Sequence, residues 1–392
     1  MQRGIATGID IGTYHIKVVI AEAPNGKSLP RILGTGFAET RGMRHGYIVS
    51  EDDVSHSISL AVAQAEKAAK VRVKRAYVSI GGVSIDEIFS RGEAVVTRGD
   101  SVITDRDVSQ AILQSESSIS PSQLLNRTVI HSIPLRFFVD SNKVLGGRPS
   151  GMHGMKVSVE TLFITALTQH LSAMRDTVED AGIEVEDVVA APLAASFVTL
   201  SKPQKMAGCV LANIGAETLS LIVFEDGKPI SMKVFPTGGS DITNDIALGL
   251  RVPLEEAEQI KLGAVTGATY PKKKLDDIIS KRLNEMFTLV EGQLRKLGKN
   301  GLLPAGIILT GGGSSLQTIS DLAKAALKLP SRIGTLGAGE NLKMQLKDGS
   351  WAVAYGLTIW GFSQGDEGGK TGGPLLSTLG ETLRRIFKPF LP

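Results

Sequence analysis

The sequence predicts an α/β protein of two related lobes facing one another across a cleft, with a small α+β insertion and an amphipathic C-terminal segment. Three observations predict it: a strand–turn–strand unit with a glycine corner occurs twice, 392 residues exceed one ordinary core, and the composition changes abruptly after Phe362. With 42% apolar and 21% charged residues, the chain has the balance of a globular protein. A net charge of +3 gives no basis for nucleic-acid binding, which concentrates Lys and Arg well beyond this. The single cysteine, Cys209, excludes a disulfide framework and a cysteine metal cluster; in the apolar run Cys209-Val210-Leu211 it reads as a buried, inert thiol. Met1-Gln2-Arg3 leads straight into strand-like sequence without the pattern of a signal peptide. No run of about 18 apolar residues occurs, so no bilayer-spanning helix is expected.

The first hairpin is Ile9-Asp10-Ile11-Gly12-Thr13-Tyr14-His15-Ile16-Lys17-Val18-Val19-Ile20, β-branched residues on both sides of a glycine turn. The second, running from Leu211 to Phe224, repeats the layout, with Asn213 in the place of Asp10 and Gly215 in that of Gly12. Both copies reach a polar turn, Asn25-Gly26-Lys27 and Asp226-Gly227-Lys228. Glycine lets the amides of a turn approach phosphate oxygens, and two facing corners can hold a triphosphate between lobes. Gly12, Thr13, Tyr14 and Lys17 of the first copy, and Gly215, Ala216, Glu217 and Thr218 of the second, are therefore candidate nucleotide residues. Asp10, just before its turn, is placed to hold Mg²⁺ through water.

Other glycines fit the same chemistry. Ile307-Ile308-Leu309-Thr310-Gly311-Gly312-Gly313-Ser314 reads as an apolar strand entering a turn where backbone can approach a nucleotide, followed by a helical pattern over 316–327. Thr237-Gly238-Gly239 opens a helix over 242–250 whose N-terminus favours anions, and Glu258 and Lys261 share a face of the next helix. Asn25-Gly26-Lys27-Ser28 imitates the end of a Walker A loop, but Ala21 stands where the first glycine is required, so it reads as a hairpin turn.

Residues 363–374 are rich in glycine and read as a flexible linker able to span roughly 20 Å. Beyond it, Leu375, Leu376, Leu379, Leu383, Ile386, Phe387 and Phe390 fall on one helical stripe of about 120°, with Arg384, Arg385, Lys388 and Glu381 outside it. The linker argues against packing on the core. The cations, each worth about 1 kcal/mol near an anionic surface, favour docking on lipid. Pro389 should end the regular helix early.

With Asp10-Ile11-Gly12-Thr13, Thr237-Gly238-Gly239, Glu258-Gln259-Ile260-Lys261 and Thr310-Gly311-Gly312-Gly313 in this order, the chain resembles the actin, Hsp70 and sugar kinase superfamily. Through Gly42-Met43-Arg44-His45-Gly46-Tyr47-Ile48-Val49, Ala65-Glu66-Lys67-Ala68-Ala69 and Tyr77-Val78-Ser79-Ile80-Gly81-Gly82 it looks more closely like the FtsA family of bacterial division proteins. The resemblance implies an actin-like fold of duplicated ribonuclease H-like domains: a first lobe of 1–78 and 161–190, an inserted SHS2-like α+β domain of 79–160, a second lobe of 191–235 and 300–362, and a helical subdomain of 236–299. The linker (363–374) and membrane-targeting helix (375–392) follow. It also implies ATP and Mg²⁺ as cofactors, self-association into filaments, contacts to later division proteins through the inserted domain, and a peripheral place on the cytoplasmic face of the membrane at the septum. In that family the helical subdomain receives the acidic, apolar C-terminal tail of FtsZ. Lys274 and Arg282 are the candidate contacts here.

Within the insertion, strand signals at Val78-Ser79-Ile80, Ala94-Val95-Val96 and Thr128-Val129-Ile130 accompany a helical pattern over 105–117. His131 and His153 lack partners at metal-ligand spacing and read as surface or turn histidines. The chain departs from the superfamily at the second corner. Asn213 replaces an aspartate, and Ala216-Glu217-Thr218-Leu219 replaces a turn rich in glycine and threonine. A neutral amide is a poor general base, and Glu217 would bring negative charge near the third phosphate, so hydrolysis is expected to be slow or absent. Two relatives of the superfamily are alternatives: a pilus assembly protein of the PilM kind, which ordinarily lacks the lipid-binding tail, and a sugar kinase, whose carboxylate base is not identifiable.

Overall fold

The computed structural model describes residues 4–23, 29–264, 270–336 and 348–365. The expected linker start at 363 is corrected, because residues 363–365 complete the helix Ala352–Gly365; the rest of the linker, the turn at Asn25-Gly26-Lys27 and the amphipathic segment lie outside the described residues.

Two five-stranded sheets share one topology. In the first, Ile5–Ile11 pairs antiparallel with His15–Glu22, which pairs antiparallel with Arg31–Glu39; on its other side Ile5–Ile11 runs parallel to Arg75–Ile80, and that strand parallel to Glu184–Ala190. In the second, Cys209–Ile214 stands where Ile5–Ile11 does, flanked by antiparallel Leu219–Glu225 and Lys228–Phe235 on one side and by parallel Ile307–Thr310 and Ser331–Ile333 on the other. The duplication read from the hairpins therefore extends to the whole sheet.

The central strands are apolar at nearly every position because both of their faces are covered. Cys209 and Leu211 face the large core that also holds the first lobe, whereas Val210, Ala212 and Ile214 face a second core under helices Gly239–Leu250 and Lys272–Lys296. Helix Lys272–Lys296 buries Leu275, Leu283, Met286, Phe287, Val290 and Leu294, a stripe at helical spacing, and exposes its lysines. Cys209 is fully buried, and burial pushes its thiol up to about 12.

Two helices cross between the lobes. Ala191–Thr199 carries the chain out of the first sheet toward the second, and Ala352–Gly365 returns to pack on Ile5–Ile11. At their crossing a Cβ on Gly356 would lie 1.9 Å from the Ala194 carbonyl oxygen, so backbone meets backbone and only glycine fits.

The inserted module is a four-stranded sheet in the order Asp86–Val95, Lys156–Leu167, Arg127–Val139, Asn142–Lys143, with helix Asp105–Ser117 against it. That helix begins at a capping box in which the Thr104 hydroxyl and N–H both donate to Asp107 Oδ2. Strand Lys156–Leu167 runs through the expected boundary at 160 straight into helix Thr168–Asp180 of the first lobe. The reading of His131 as a surface or turn residue is corrected. It is buried where its strand meets the end of Glu184–Ala190, its Nε2 accepts from the Ala190 N–H at 3.0 Å, and burial pushes its pKa down to about 4. No helix of the described residues is long and apolar enough to cross a membrane.

Candidate functional site

The two glycine corners face a common cavity of about 480 Å³ between the lobes, within the usual range for small-molecule sites. Its walls include Gly12, Thr13, Tyr14 and Lys17 of the first corner and Gly215, Ala216 and Thr218 of the second, with Asp10 and Asn213 beside them. Gly239, Glu258, Lys261 and Gly311, Gly312 and Gly313 complete the surface. Of the candidate nucleotide residues, Gly238 and Glu217 lie off the walls. Gly238 sits directly behind the second corner, where an added Cβ would meet the Ala216 carbonyl oxygen at 2.4 Å.

In the first corner the pairing register sets Asp10 directly opposite Lys17. Asp10 Oδ1 accepts from the Ser79 hydroxyl at 2.8 Å, and Ser79 Oγ in turn accepts from the Ile11 N–H at 3.2 Å. Burial raises the Asp10 pKa, against the opposing effects of Lys17 and the Ser79 bond. Burial also lowers that of Lys17, against Asp10 and Asp348, while its Nζ donates to the Ser350 carbonyl at 3.0 Å. In each case burial outweighs the favourable charges and hydrogen bonds around the group.

The second corner carries the same geometry with different charge. The register sets Asn213 opposite Ser220, so the positions matching Asp10 and Lys17 hold a neutral amide and a hydroxyl. The Gly215 N–H donates to the Thr218 carbonyl, closing the turn at 2.8 Å. The turn is tied to the next helix by Gly239 N–H to Gly215 O (2.9 Å) and Ser240 N–H to Ala216 O (2.8 Å), and Asp241 caps that helix by accepting from Thr237 Oγ1 and Gly238 N–H. Among the described residues the N–H groups of Thr13, Tyr14 and Ala216, all on cavity-lining residues, have no hydrogen-bond partner.

Glu258 and Lys261 are more than a solvated pair. Lys261 Nζ lies 2.7 Å from Glu258 Oε2 and also donates to Thr243 Oγ1 (2.8 Å) and Gly239 O (3.1 Å), fastening their helix to the glycine turn. Lys274 and Arg282 lie on helix Lys272–Lys296, away from the cavity. Lys274 is exposed, whereas Arg282 is held in a fork by Asp245 at 2.6 and 2.9 Å and reaches Glu285 at 2.9 Å. Sequence reading assigned no role to Ser79, Asp348 or Ser350. Their only signal is proximity to Asp10 and Lys17, which appears once the chain is folded. The candidate membrane residues from Leu375 to Phe390 lie outside the described residues.

A duplicated five-stranded sheet with a cleft between facing glycine corners defines the actin-like class of two-lobed proteins. Solved structures of that class superpose on this chain: PilM in a PilM–PilN type IV pilus biogenesis complex (TM-score 0.69, 19% identity, 92% of this chain and 99% of that one), and MreB5 of Spiroplasma citri bound to ADP (TM-score 0.54, 11% identity, 94% and 100%). At such identities the likeness carries the fold alone. A family model described as cell division protein FtsA matches residues 210–356, and one for the SHS2 domain inserted in FtsA matches residues 84–165. Cell division protein FtsA of Bacillus subtilis is 31% identical over 348 residues, covering 83% of this chain and 78% of that protein; its counterpart in Pseudomonas aeruginosa is 27% identical over 382 residues, covering 92% and 90%. The chain belongs to the FtsA family of cell division proteins.

Proposed function

We propose that this protein binds Mg·ATP between its glycine corners, hydrolyses it slowly or not at all, and tethers FtsZ filaments to the cytoplasmic face of the membrane at the division septum. The observation that carries the nucleotide reading is the 480 Å³ cavity bordered by two turns whose Thr13, Tyr14 and Ala216 amides lack partners. This donor set fits a polyphosphate. Glycine corners bring backbone donors close to phosphate oxygens, and a divalent cation near Asp10 would relieve the burial that raises its pKa. Asp10 would hold the metal through water, Lys17 would offset phosphate charge, and Gly239, Glu258, Lys261 and Gly311 to Gly313 would form the nucleoside side, with Gly238 supporting the second corner from behind. When bound, the metal nucleotide supplies a polarised terminal phosphate. Asn213 and Ser220 offer no carboxylate to take a proton from attacking water.

The finer assignments belong to the same reading. Division of the chain into first lobe, inserted domain, second lobe and helical subdomain follows the order read from the sequence, with the inserted sheet running from Asp86 to Leu167 in place of 79–160. Residues 375–392 would dock on anionic lipid, Lys274 and Arg282 would meet the FtsZ tail, the inserted domain would meet later division proteins, and protomers would associate head to tail into filaments. Family membership supports these roles over a pilus or sugar-kinase role. Calorimetric titration of the full chain with Mg·ATP tests the core of the proposal. Saturable binding with turnover well below about one per second is expected; absence of binding, or faster turnover, overturns it.

A further inference from the structure

The segment Gly42-Met43-Arg44-His45-Gly46-Tyr47-Ile48-Val49 carried the family resemblance but received no role. In the structure it is a small hairpin, Met43–Arg44 paired with Tyr47–Ile48, turning through His45 and Gly46 at φ 48° and 82°. Positive φ at both central residues marks a type I′ turn. Its tip is seated on the first lobe beside the cavity: a Cβ on Gly46 would lie 2.4 Å from the Gly82 Cα, and Gly46, Gly81 and Gly82 all line the cleft. From that fixed tip the His45 N–H donates to Glu217 Oε2 at 2.5 Å, and His45 Nδ1 lies 3.8 Å from the same oxygen. Glu217 belongs to the second lobe's glycine corner. The bond therefore runs from one lobe to the other at the edge of the cavity.

We infer that Glu217 is a strap across the cleft, a positioning residue that holds the second corner against the first lobe and so slows the escape of the bound ligand. The inference rests on the nucleotide reading above and adds to it a means of retention. It also revises the expectation that Glu217 repels the third phosphate. Its carboxylate is engaged by a backbone donor of the opposite lobe and does not line the cavity. A charge-assisted bond of this kind must break before the corners part, whichever nucleotide lies between them.

Two substitutions separate strap from repulsion. Glu217→Ala removes the acceptor, whereas Glu217→Gln removes the charge and keeps an oxygen for the His45 N–H. With a fluorescent ATP analogue and its ADP counterpart, stopped-flow displacement from the full chain should show both leaving about tenfold faster from Glu217→Ala. Glu217→Gln, which keeps the bond but loses its charge assistance, should release both at a rate between those of the wild type and Glu217→Ala. If both variants instead retain ATP longer while ADP is unchanged, charge repulsion is the role of Glu217 and the strap is overturned. A second readout needs no nucleotide. Hydrogen exchange at the His45 amide should rise in Glu217→Ala and less in Glu217→Gln, with the exchange of strands Ile5–Ile11 and Cys209–Ile214 unchanged as the folding control. Unaltered His45 exchange in Glu217→Ala overturns the strap even where nucleotide binds. Failure of the wild type to bind nucleotide overturns the parent reading and leaves the exchange result to decide the strap.

Discussion

Replacing Glu87 by alanine should loosen the inserted module from the second lobe while leaving each folded. Glu87, the second residue of the module's first strand, reaches across to Lys228–Phe235, the edge strand of the second sheet, where its Oε2 accepts from the Met232 N–H at 2.7 Å. Its Oε1 accepts from the Ser231 hydroxyl at 3.1 Å and from Gln293 Nε2 at 3.2 Å. Gln293 keeps Ser231 Oγ as an acceptor at 2.9 Å, so the substitution strands two donors, the Met232 N–H and the Ser231 hydroxyl. At about 1 to 3 kcal/mol for each stranded donor the gross cost is roughly 2 to 6 kcal/mol. Burial of the carboxylate offsets part of that cost, because desolvation raises the Glu87 pKa despite all three bonds. A net loss of about 2 kcal/mol, or roughly thirtyfold in the docked population, is expected. Hydrogen exchange at Met232 measures it; exchange within twofold of the wild type would refute the reasoning. Glu87→Gln keeps an acceptor without the buried charge and should dock as well as the wild type or better. The pH dependence has a defined sign. A carboxyl whose folded pKa is raised above its ordinary 4.5 contributes stability that is complete below that value and is lost as pH rises through the folded value, so the share of docking due to Glu87 should grow on acidification. That share is read as the difference between wild type and Glu87→Gln, because the neighbouring Asp86–Lys233 pair contributes with the opposite sign.

Removing the residues after Pro374 should abolish flotation of the protein with vesicles containing anionic lipid; equal flotation of the full and shortened chains would remove the membrane assignment. Charge reversal at Lys274 should weaken binding of an FtsZ tail peptide measured by fluorescence anisotropy, without affecting the fold, since that side chain is exposed. Arg282→Glu should weaken it too but also lower the thermal midpoint, because it places a third carboxylate against Asp245 and Glu285. Undiminished tail binding in both variants would move the partner surface elsewhere.

The fold was legible where the backbone itself constrains residue type. Glycine at 12 and 215, with β-branched neighbours, marks the hairpin corners, and the unbroken apolar run of Cys209–Ile214 marks a strand covered on both faces. The site was legible to the extent that it is built from those corners. What sequence could not reach were pairings between distant segments. Glu217 reads as a charge beside a phosphate until His45 appears opposite it, 172 residues away. Arg282 reads as a free cation until Asp245 is found in its fork, 37 residues away. His131 reads as a turn residue until the end of Glu184–Ala190 closes over it.

The same comparison bears on why a duplicated frame should carry unequal chemistry. Equal topology makes Asp10 and Asn213, and Lys17 and Ser220, occupants of equivalent positions, so their difference is one of residue type alone. The first corner keeps a carboxylate and an ammonium, both insufficiently compensated by their surroundings, and is suited to attract a metal polyphosphate. The second corner holds neither a carboxylate nor an ammonium at these two positions. In the neighbouring position it carries Glu217, whose carboxylate binds the opposite lobe. On the nucleotide reading proposed above, charge in the second lobe's corner would be directed at closure and away from proton transfer, an arrangement that favours retention of the nucleotide over its turnover.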